Sequence, residues 1–510
     1  MSYSLVAFDT DKIKSYVFGT STLKEIRGAS ALLDRLNRED MPRLVEDAGG
    51  RMIYANGGGG LFEVESGKAK SVIEAVQKVY RKESKSASVT GVAVELPAQD
   101  ADIQTNQEPD IQRQLTLIRY RLRLAKDSSG GHVYPLTHSL LRFCDSCGTR
   151  YAQLPKQDEM LCESCCEKRA EDEQVKDKIW HWSCAPLNAN RNRLWGRLIT
   201  ELSRQNYQLL GFARPEDFEQ IGKLSHPSGY MGLIYADGDG MGKEIEKIKS
   251  REKMKQFANA VDDSVYEAVG EAINHYLVPH RADLWPFDVL LLGGDDVVMV
   301  TRAESAIEVA LHVVERFPEL TAKRWDKALS LSACVVITHV KYPIGSLLDL
   351  AQNGLKFAKR QAAKRKLQGE TIEGGLLNFL VVNSANQLDF SEHYKQTLRQ
   401  EEQDSILYRT QRPYTAQEMH NLLTQIRHLR QVGVPRSKLE QLRAALFKSR
   451  KQGTLDAMIA TLRLSNRAHV EALLELVDHQ IEQKVHFPWI KKGKDWVTPL
   501  LDITELFDFV

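Results

Sequence analysis

At 510 residues, with a formal net charge of +1, 27% charged and 42% hydrophobic residues, the chain has ordinary globular composition and too much length for one core, so three or four domains are expected. A neutral balance excludes a broadly basic nucleic-acid coat and leaves room only for local basic faces. No apolar run approaches the roughly 18 residues of a membrane span, and the first residues lack the basic start and apolar core of a signal peptide, so a cytoplasmic chain with no membrane partner is expected.

The first hundred residues open with Leu5-Val6-Ala7-Phe8 running into Asp9-Thr10-Asp11, an apolar strand that ends in Asp-x-Asp. Lys24-Glu25-Ile26-Arg27-Gly28-Ala29-Ser30 follows, in a helical run through Leu36. Met52 to Val64 reads as strand–turn–strand around Gly57, Gly58, Gly59 and Gly60, a tip from which nothing projects and against which a nucleotide could lie closely. A helix over 71–82 and a strand over Ala87–Glu95 complete a small α/β unit. Residues 98–140 are polar, with a helical patch at Arg113–Leu124 and a loop at Ser128-Ser129-Gly130-Gly131. The run Arg119-Tyr120-Arg121-Leu122-Arg123 reads as a solvated helix face.

Cys144, Cys147, Cys162 and Cys165 form a C-x2-C-x14-C-x2-C array. Each pair can turn back on one ion, and the interval lets both knuckles meet on a tetrahedral Zn²⁺. Four thiolates leave no open coordination position, so this ion staples an insertion and does no chemistry. Cys166 competes with Cys165 as the fourth ligand, and Cys184 and Cys334 read as buried packing residues.

Between about 225 and 390 the chain repeats the opening pattern with more chemistry. Gly232 to Ala236 is an apolar strand ending in Asp237-Gly238-Asp239, and the glycine-rich turn Gly240-Met241-Gly242 leads into a helical stretch over Lys243–Lys249. Helical periodicity runs over Lys253–Tyr276. Val289 to Val300 then sets Gly293-Gly294-Asp295-Asp296 between two apolar runs, the pattern of a tight hairpin. Adjacent carboxylates at such a tip are costly unless a cation satisfies them, and Mg²⁺ or Mn²⁺ carrying nucleotide phosphates is the usual partner. Two-metal chemistry needs carboxylates from separate strands, which Asp237 with Asp295 and Asp296 would supply. A helix over Ala303–Phe317, a strand over Leu329–Thr338 and a helix over Ser346–Lys366 follow. Lys359 on that last helix could reach a triphosphate held by the carboxylates. Aligning the glycine pairs of the two halves puts Gly59 and Gly60 where the second has Asp295 and Asp296, so the first half reads as a duplicate that has lost its hairpin ligands.

Residues 391–510 turn helical and strand-poor, a bundle of four to six helices. Thr415 to Glu418 and Ser437 to Glu440 both read as capping boxes. Basic residues such as Arg427, Arg436 and Lys451 are interleaved there and fit a partner protein or an RNA backbone equally.

As an ordered set, Phe8-Asp9-x-Asp11, Lys24 to Ser30, the Gly57 to Gly60 tip, the four cysteines, Tyr235 to Lys243 and Gly293 to Asp296 resemble the large palm/cyclase subunit of type III CRISPR effector complexes, Cmr-type. The resemblance implies an α+β multidomain chain. It would hold two ferredoxin-like palms at 1–100 and 225–390, a linker and zinc-binding helical domain at 101–224, and a helical bundle at 391–510. It also implies a cyclic oligoadenylate synthase that joins ATP by two-metal 3′–5′ nucleotidyl transfer when target RNA is bound. Asp237, Asp295 and Asp296 would be the catalytic residues and would hold two Mg²⁺ or Mn²⁺ ions. Asp9, Arg27, Ser30, Gly57, Gly58, Gly59, Gly60, Gly238, Asp239, Gly240, Gly293, Gly294 and Lys359 would contact nucleotide. Partners would be the other effector subunits, guide RNA and target RNA. Palm-like sequence from residue 5 and the lack of a His-Asp dipeptide lead us to expect no HD nuclease domain. The competing readings are a stand-alone cyclase of the diguanylate class and a non-catalytic ribonucleoprotein scaffold.

Overall fold

The computed structural model describes residues 2–96, 111–128, 141–156, 158–279, 283–382, 389–402, 404–477 and 486–510. Ser129 to Gly131 of the expected loop lie outside them.

In β1 (Tyr3–Thr10) every residue from Ser4 to Phe8 is buried, so the strand must be covered on both faces. It pairs antiparallel with β3 (Gly59–Glu65) and β4 (Val89–Glu95), while β2 (Arg51–Asn56) pairs with β3, giving the order β2-β3-β1-β4. Alternation divides the strand: Val6 and Phe8 join the apolar residues of the Leu23–Arg35 and Ala69–Ser84 helices. Leu5 and Ala7 instead share a core with Leu115 and Ile118 of the Gln112–Ser128 helix. The Arg113–Leu124 patch is therefore a helix that covers the sheet.

A short hairpin, β5 (Leu154–Lys156) with β6 (Glu159–Leu161), lies within the cysteine region and precedes the long helix Glu163–Cys184. The second large sheet contains β7 (Tyr230–Gly238), β8 (Phe287–Gly293), β9 (Asp296–Arg302), β10 (Leu331–His339) and β11 (Leu377–Val382), in the order β11-β10-β7-β9-β8. Without β11 its connectivity and order are those of the first sheet, so both are ferredoxin-like. The helices Arg251–Tyr276 and Ala306–Trp325 are its crossovers. β11, which the sequence reading had not picked out, adds parallel to β10 after the helix Ile344–Leu367. Both hairpins carry a register irregularity at the same place, between Met52 and Tyr54 in one and between Val289 and Leu291 in the other. Such a bulge increases twist and aims the tip.

The C-terminal region holds the expected helices, at Ala416–Val432, Arg436–Ala445, Arg450–Leu462, Arg467–Leu474 and Leu500–Leu506. It is not strand-poor, however. β12 (Arg399–Glu402), β13 (Ser405–Tyr408), β14 (Ile490–Lys492) and β15 (Asp495–Val497) form a sheet in the order β12-β13-β15-β14. Strands of three and four residues leave too short an alternation to read, and this sheet closes over a long sequence separation. The Thr415 capping box forms with Glu418, but the box expected at Ser437 does not, because Pro435 occupies the N-cap position and Arg436 is already helical. One apolar interior runs from Leu5 through Val269, Phe287 and Val313 to Leu423 and Leu500. The expected domains therefore share a core.

Candidate active site between the two palms

β7 carries Asp237 one residue short of its end, and the hairpin β8–β9 turns through Gly294 and Asp295 between the paired Gly293 and Asp296. Gly294 has φ +63° and Asp295 is not at positive φ, the pattern of a type II′ turn. β7 and β9 pair Ala236 with Val297, and that register continued by one step places Asp237 beside Asp296. A Cβ on Gly238 would lie 2.7 Å from Asp295 Oδ2, so the third carboxylate rests on bare backbone that only glycine leaves open.

Burial first, then repulsion from Asp237 and its neighbour, pushes Asp295 up to about 7. Asp296 is pushed up to about 6, again by burial and then by Asp237, against the pull of Lys14 and Lys359. Lys359 Nζ sits 2.5 Å from Asp237 Oδ2 and 2.6 Å from the Gly238 carbonyl oxygen. An anionic cluster short of positive charge, with one ammonium already on it, is a donor set that suits divalent cations. Asp239 lies just beyond the strand; its Oδ2 accepts from Ser332 Oγ at 2.8 Å while Oδ1 is buried without a partner. Gly240, at φ +69°, turns the chain into the short helix Met241–Ile245. That helix ends well before the expected Lys249.

The first palm repeats this arrangement down to individual hydrogen bonds. Asp9 stands opposite Thr90 and Asp237 opposite Ser332. Asp11 accepts from Thr90 Oγ1 at 2.8 Å, as Asp239 does from Ser332. The Asp11 amide donates to the Ser88 carbonyl at 2.9 Å, and the Asp239 amide to that of Ser330 at 2.8 Å. Lys126 Nζ bridges Asp9 at 2.7 Å and Asp11 at 3.4 Å, standing to the first palm as Lys359 stands to the second. The sequence reading named Lys359 and missed Lys126, because the two lysines lie at different distances along the chain from their strands, 36 residues after Thr90 against 27 after Ser332.

The same registers correct the alignment of the tips. Asn56 pairs with Gly59 as Gly293 pairs with Asp296, so Gly58 and Gly59, not Gly59 and Gly60, stand where the second hairpin has Asp295 and Asp296. Gly60 also turns away from any ligand, since a Cβ there would meet the Phe62 ring at 2.6 Å and Met41 Sδ at 2.9 Å. Gly57 faces the other palm, where a Cβ would come 3.4 Å from Gly294 Cα. The tips abut. A cleft between them is lined by Ile13, Ser30 and Gly58 from one half and by Leu291, Gly293 and Asp296 from the other. The first palm also sends Lys14 to this site, its Nζ 4.6 Å from the centre of the Tyr235 ring.

Arg27 is not available to a nucleotide. Its buried guanidinium donates to both carboxylate oxygens of Asp172 at 2.9 and 2.8 Å, to Asp288 Oδ2 at 3.1 Å and to the Pro215 carbonyl at 2.5 Å. Beside it a Cβ on Gly28 would lie 1.7 Å from the Lys168 carbonyl oxygen, so the Leu23–Arg35 and Glu163–Cys184 helices cross at backbone contact. The Lys24 to Ser30 motif is thus largely a helix-packing device. Ser30 alone keeps a ligand-facing character: it lines the cleft, and its buried Oγ has no partner.

Sγ atoms of Cys144, Cys147, Cys162 and Cys165 all lie within 4.8 Å of one another, a set that could hold a metal ion. Cys166 is outside it, which decides the fourth position for Cys165. Cys334 is buried as expected, but Cys184 is exposed at the end of its helix. The knuckle docks on the first palm through Ser146 Oγ, 3.1 Å from Thr20 Oγ1, and through Arg169, 2.6 Å from Glu25. Between this cluster and Asp11 and Lys126 lies a cavity of about 550 Å³.

Residues 230–368 match the Cas10/Cmr2 second palm domain. That match covers 139 of the 510 residues. Over 175 residues the chain is 24% identical to the CRISPR system Cmr subunit Cmr2 of Pyrococcus furiosus, a match spanning 30% of this chain and 19% of that relative. A solved chain of the Csm1–Csm4 cassette in complex with cA4 aligns at TM-score 0.58 and 14% identity, over 99% of this chain and 69% of that one. The cassette in complex with one ATP gives TM-score 0.56 and 14% identity, over 99% and 70%. At such identity the likeness establishes a shared fold. Among the described residues, no helix is long and apolar enough to cross a membrane.

Proposed function

We propose that this chain is the catalytic large subunit of a type III CRISPR effector, joining ATP into cyclic oligoadenylate by 3′–5′ nucleotidyl transfer when target RNA is bound. The observation that carries the reading is the clustering of Asp237, Asp295 and Asp296 at a hairpin tip that abuts the tip of the first palm, with Asp296 lining the cleft between them. These residues would hold two Mg²⁺ or Mn²⁺ ions, which when bound supply nucleophile activation and charge neutralisation at the α-phosphate. Lys359 and Lys14 bring positive charge to the carboxylates and would steady the phosphates. Of Gly238, Gly293 and Gly294, it is Gly293 that lines the cleft, where its bare backbone would let a nucleotide approach, and Ser30 offers a free hydroxyl. Asp9, Asp11 and Lys126, beside the large cavity, would orient a second ATP without reacting.

Structural Zn²⁺ is assigned to Cys144, Cys147, Cys162 and Cys165. Guide RNA, target RNA and the other effector subunits are the partners, and the cytoplasm the setting. The four segments at 1–100, 101–224, 225–390 and 391–510 are functional divisions of one shared core.

Incubating the chain with labelled ATP and Mg²⁺, alone and assembled with its subunits, guide and target RNA, tests this. Cyclic 3′–5′ product that depends on target RNA is expected. Product from the chain alone at full rate would favour a stand-alone cyclase, and none under any condition a scaffold.

A further inference from the structure

The hairpin that carries Asp295 and Asp296 has a backbone group its own ladder cannot satisfy. In a two-residue turn the amide of Gly294 points away from the paired strand, and left buried without a partner it would be costly. Asp262, on the Arg251–Tyr276 helix, accepts that amide through Oδ1 at 2.9 Å. The same carboxylate is gripped by Arg38, whose Nη2 donates to Oδ1 at 2.9 Å and Nη1 to Oδ2 at 3.1 Å. Arg197 donates to Oδ2 as well. Arg38 belongs to the first palm, just past the Leu23–Arg35 helix, and is held from behind by Asp34 at 3.1 Å. The assembly is deeply buried, with 9% of the Arg38 side chain and 5% of that of Asp262 exposed. Burial works against the charge, yet the two guanidiniums hold the Asp262 carboxyl down at about 2.

Two further contacts brace the same turn. Tyr266, one helical turn beyond Asp262, donates its hydroxyl to the Leu292 carbonyl at 3.2 Å. Gly57 of the first palm's tip packs on Gly294, where a Cβ would come 3.2 Å from Gly57 Cα.

We infer that Asp262, clamped by Arg38 of the first palm, is a positioning residue that aims the Gly293 to Asp296 hairpin. The first palm thereby controls the geometry of a site to which its own tip contributes no carboxylate. The inference rests on the reading of Asp295 and Asp296 as the metal-binding pair. A bidentate arginine–carboxylate pair fixes direction as well as distance, which a lysine bridge would not. Small errors in aim matter here, because misplacement by about 1 Å costs on the order of 10²-fold in rate.

The test compares Asp262→Ala, Asp262→Asn and Arg38→Gln with Arg412→Gln, in the full chain assembled with its subunits and RNA. Arg412 is a buried arginine paired with Asp502 and Glu505, away from Asp34, Asp262 and the hairpin. Three readouts are taken: kcat and KM for ATP, Mn²⁺ binding by electron paramagnetic resonance, and melting temperature. Arg38→Gln and Asp262→Ala should lower kcat about 10-fold or more, with KM within about 2-fold, and weaken Mn²⁺ binding by a similar factor. Asp262→Asn, which keeps an acceptor for the Gly294 amide, should fall between. Arg412→Gln should lower the melting temperature but leave kcat within about 2-fold. Equal kcat losses from Arg38→Gln and Arg412→Gln at matched destabilisation would overturn the inference. If Asp262→Ala does not fold, Arg38→Gln and Asp262→Asn decide. If the unmodified assembly makes no product, the cyclase reading fails by itself, and unchanged Mn²⁺ affinity in Arg38→Gln would then sink the clamp.

Discussion

The two palms share a topology, a bulge, an Asp-x-Asp strand end, a hydroxyl partner for the second aspartate and a lysine on the first. They differ at the hairpin tip: Gly58 and Gly59 stand in one where the other has Asp295 and Asp296, and Asn56 stands where it has Gly293. The scaffold of a carboxylate site is thus kept twice and its charge once. Two adjacent carboxylates buried without a cation repel each other, so a copy that holds no metal is more stable without them. Gly57 of the first tip lies against Gly294, so the first tip forms a wall of the second palm's site.

The sharpest way to break this comparison is to remove the strand-end aspartates one palm at a time. Asp237→Ala, or Asp295→Ala with Asp296→Ala, should lower ATP turnover by roughly 10³-fold or more, since both nucleophile activation and charge stabilisation go with the ligands. Asp9→Ala should cost about 10-fold at most, mainly in KM. Equal and total loss from both would show that the first palm also reacts.

The lysines sharpen it next. Lys359→Ala should slow turnover by about 10- to 100-fold and Lys126→Ala by only a few-fold, measured as initial rates at saturating ATP. A reversed order would reassign the two sites.

The palms also differ in what braces them. Only the first is crossed by the Glu163–Cys184 helix at backbone contact, so Gly28→Ala should destabilise the fold by about 3 kcal/mol, read from denaturant unfolding. Cys147→Ser should release the bound ion and lower the melting temperature before any change in chemistry, with about one zinc per chain lost by metal analysis. Unchanged stability without zinc would remove the knuckle from the account.

The smallest effect is on the metal-free protein. Asp295 and Asp296 have pKa values raised on folding to about 7 and 6. Their penalty is therefore absent below about pH 4 and grows as pH rises through 7. In chelator at pH 8, Asp295→Ala with Asp296→Ala should melt roughly 1–2 °C above the unmodified chain, and the gap should close near pH 4. A variant that melts lower at pH 8 would mean the pair is satisfied by the protein itself.

Local spacing determined much of this molecule. Apolar runs ending in Asp-x-Asp, the Gly-Gly-Asp-Asp turn and the paired cysteines are short-range patterns whose geometry follows from strand and turn stereochemistry. They were enough to expect two palms, the carboxylate set and a four-thiol cluster. Helix periodicity likewise placed Lys359. Only the tertiary structure decided what lies far apart in sequence: Lys126 on Asp9, Lys14 beside Asp296, and Arg38 on Asp262. Cross-strand register, which moves a pairing by one residue without changing composition, shifted the tip equivalence from Gly59 and Gly60 to Gly58 and Gly59. Burial turned Arg27 from an expected nucleotide contact into an internal ion pair with Asp172 and Asp288, because its guanidinium is enclosed by carboxylates and the Pro215 carbonyl. The strands near residues 400 and 490 were invisible for a related reason: their stability comes from pairing across the chain, and three residues carry no period to read.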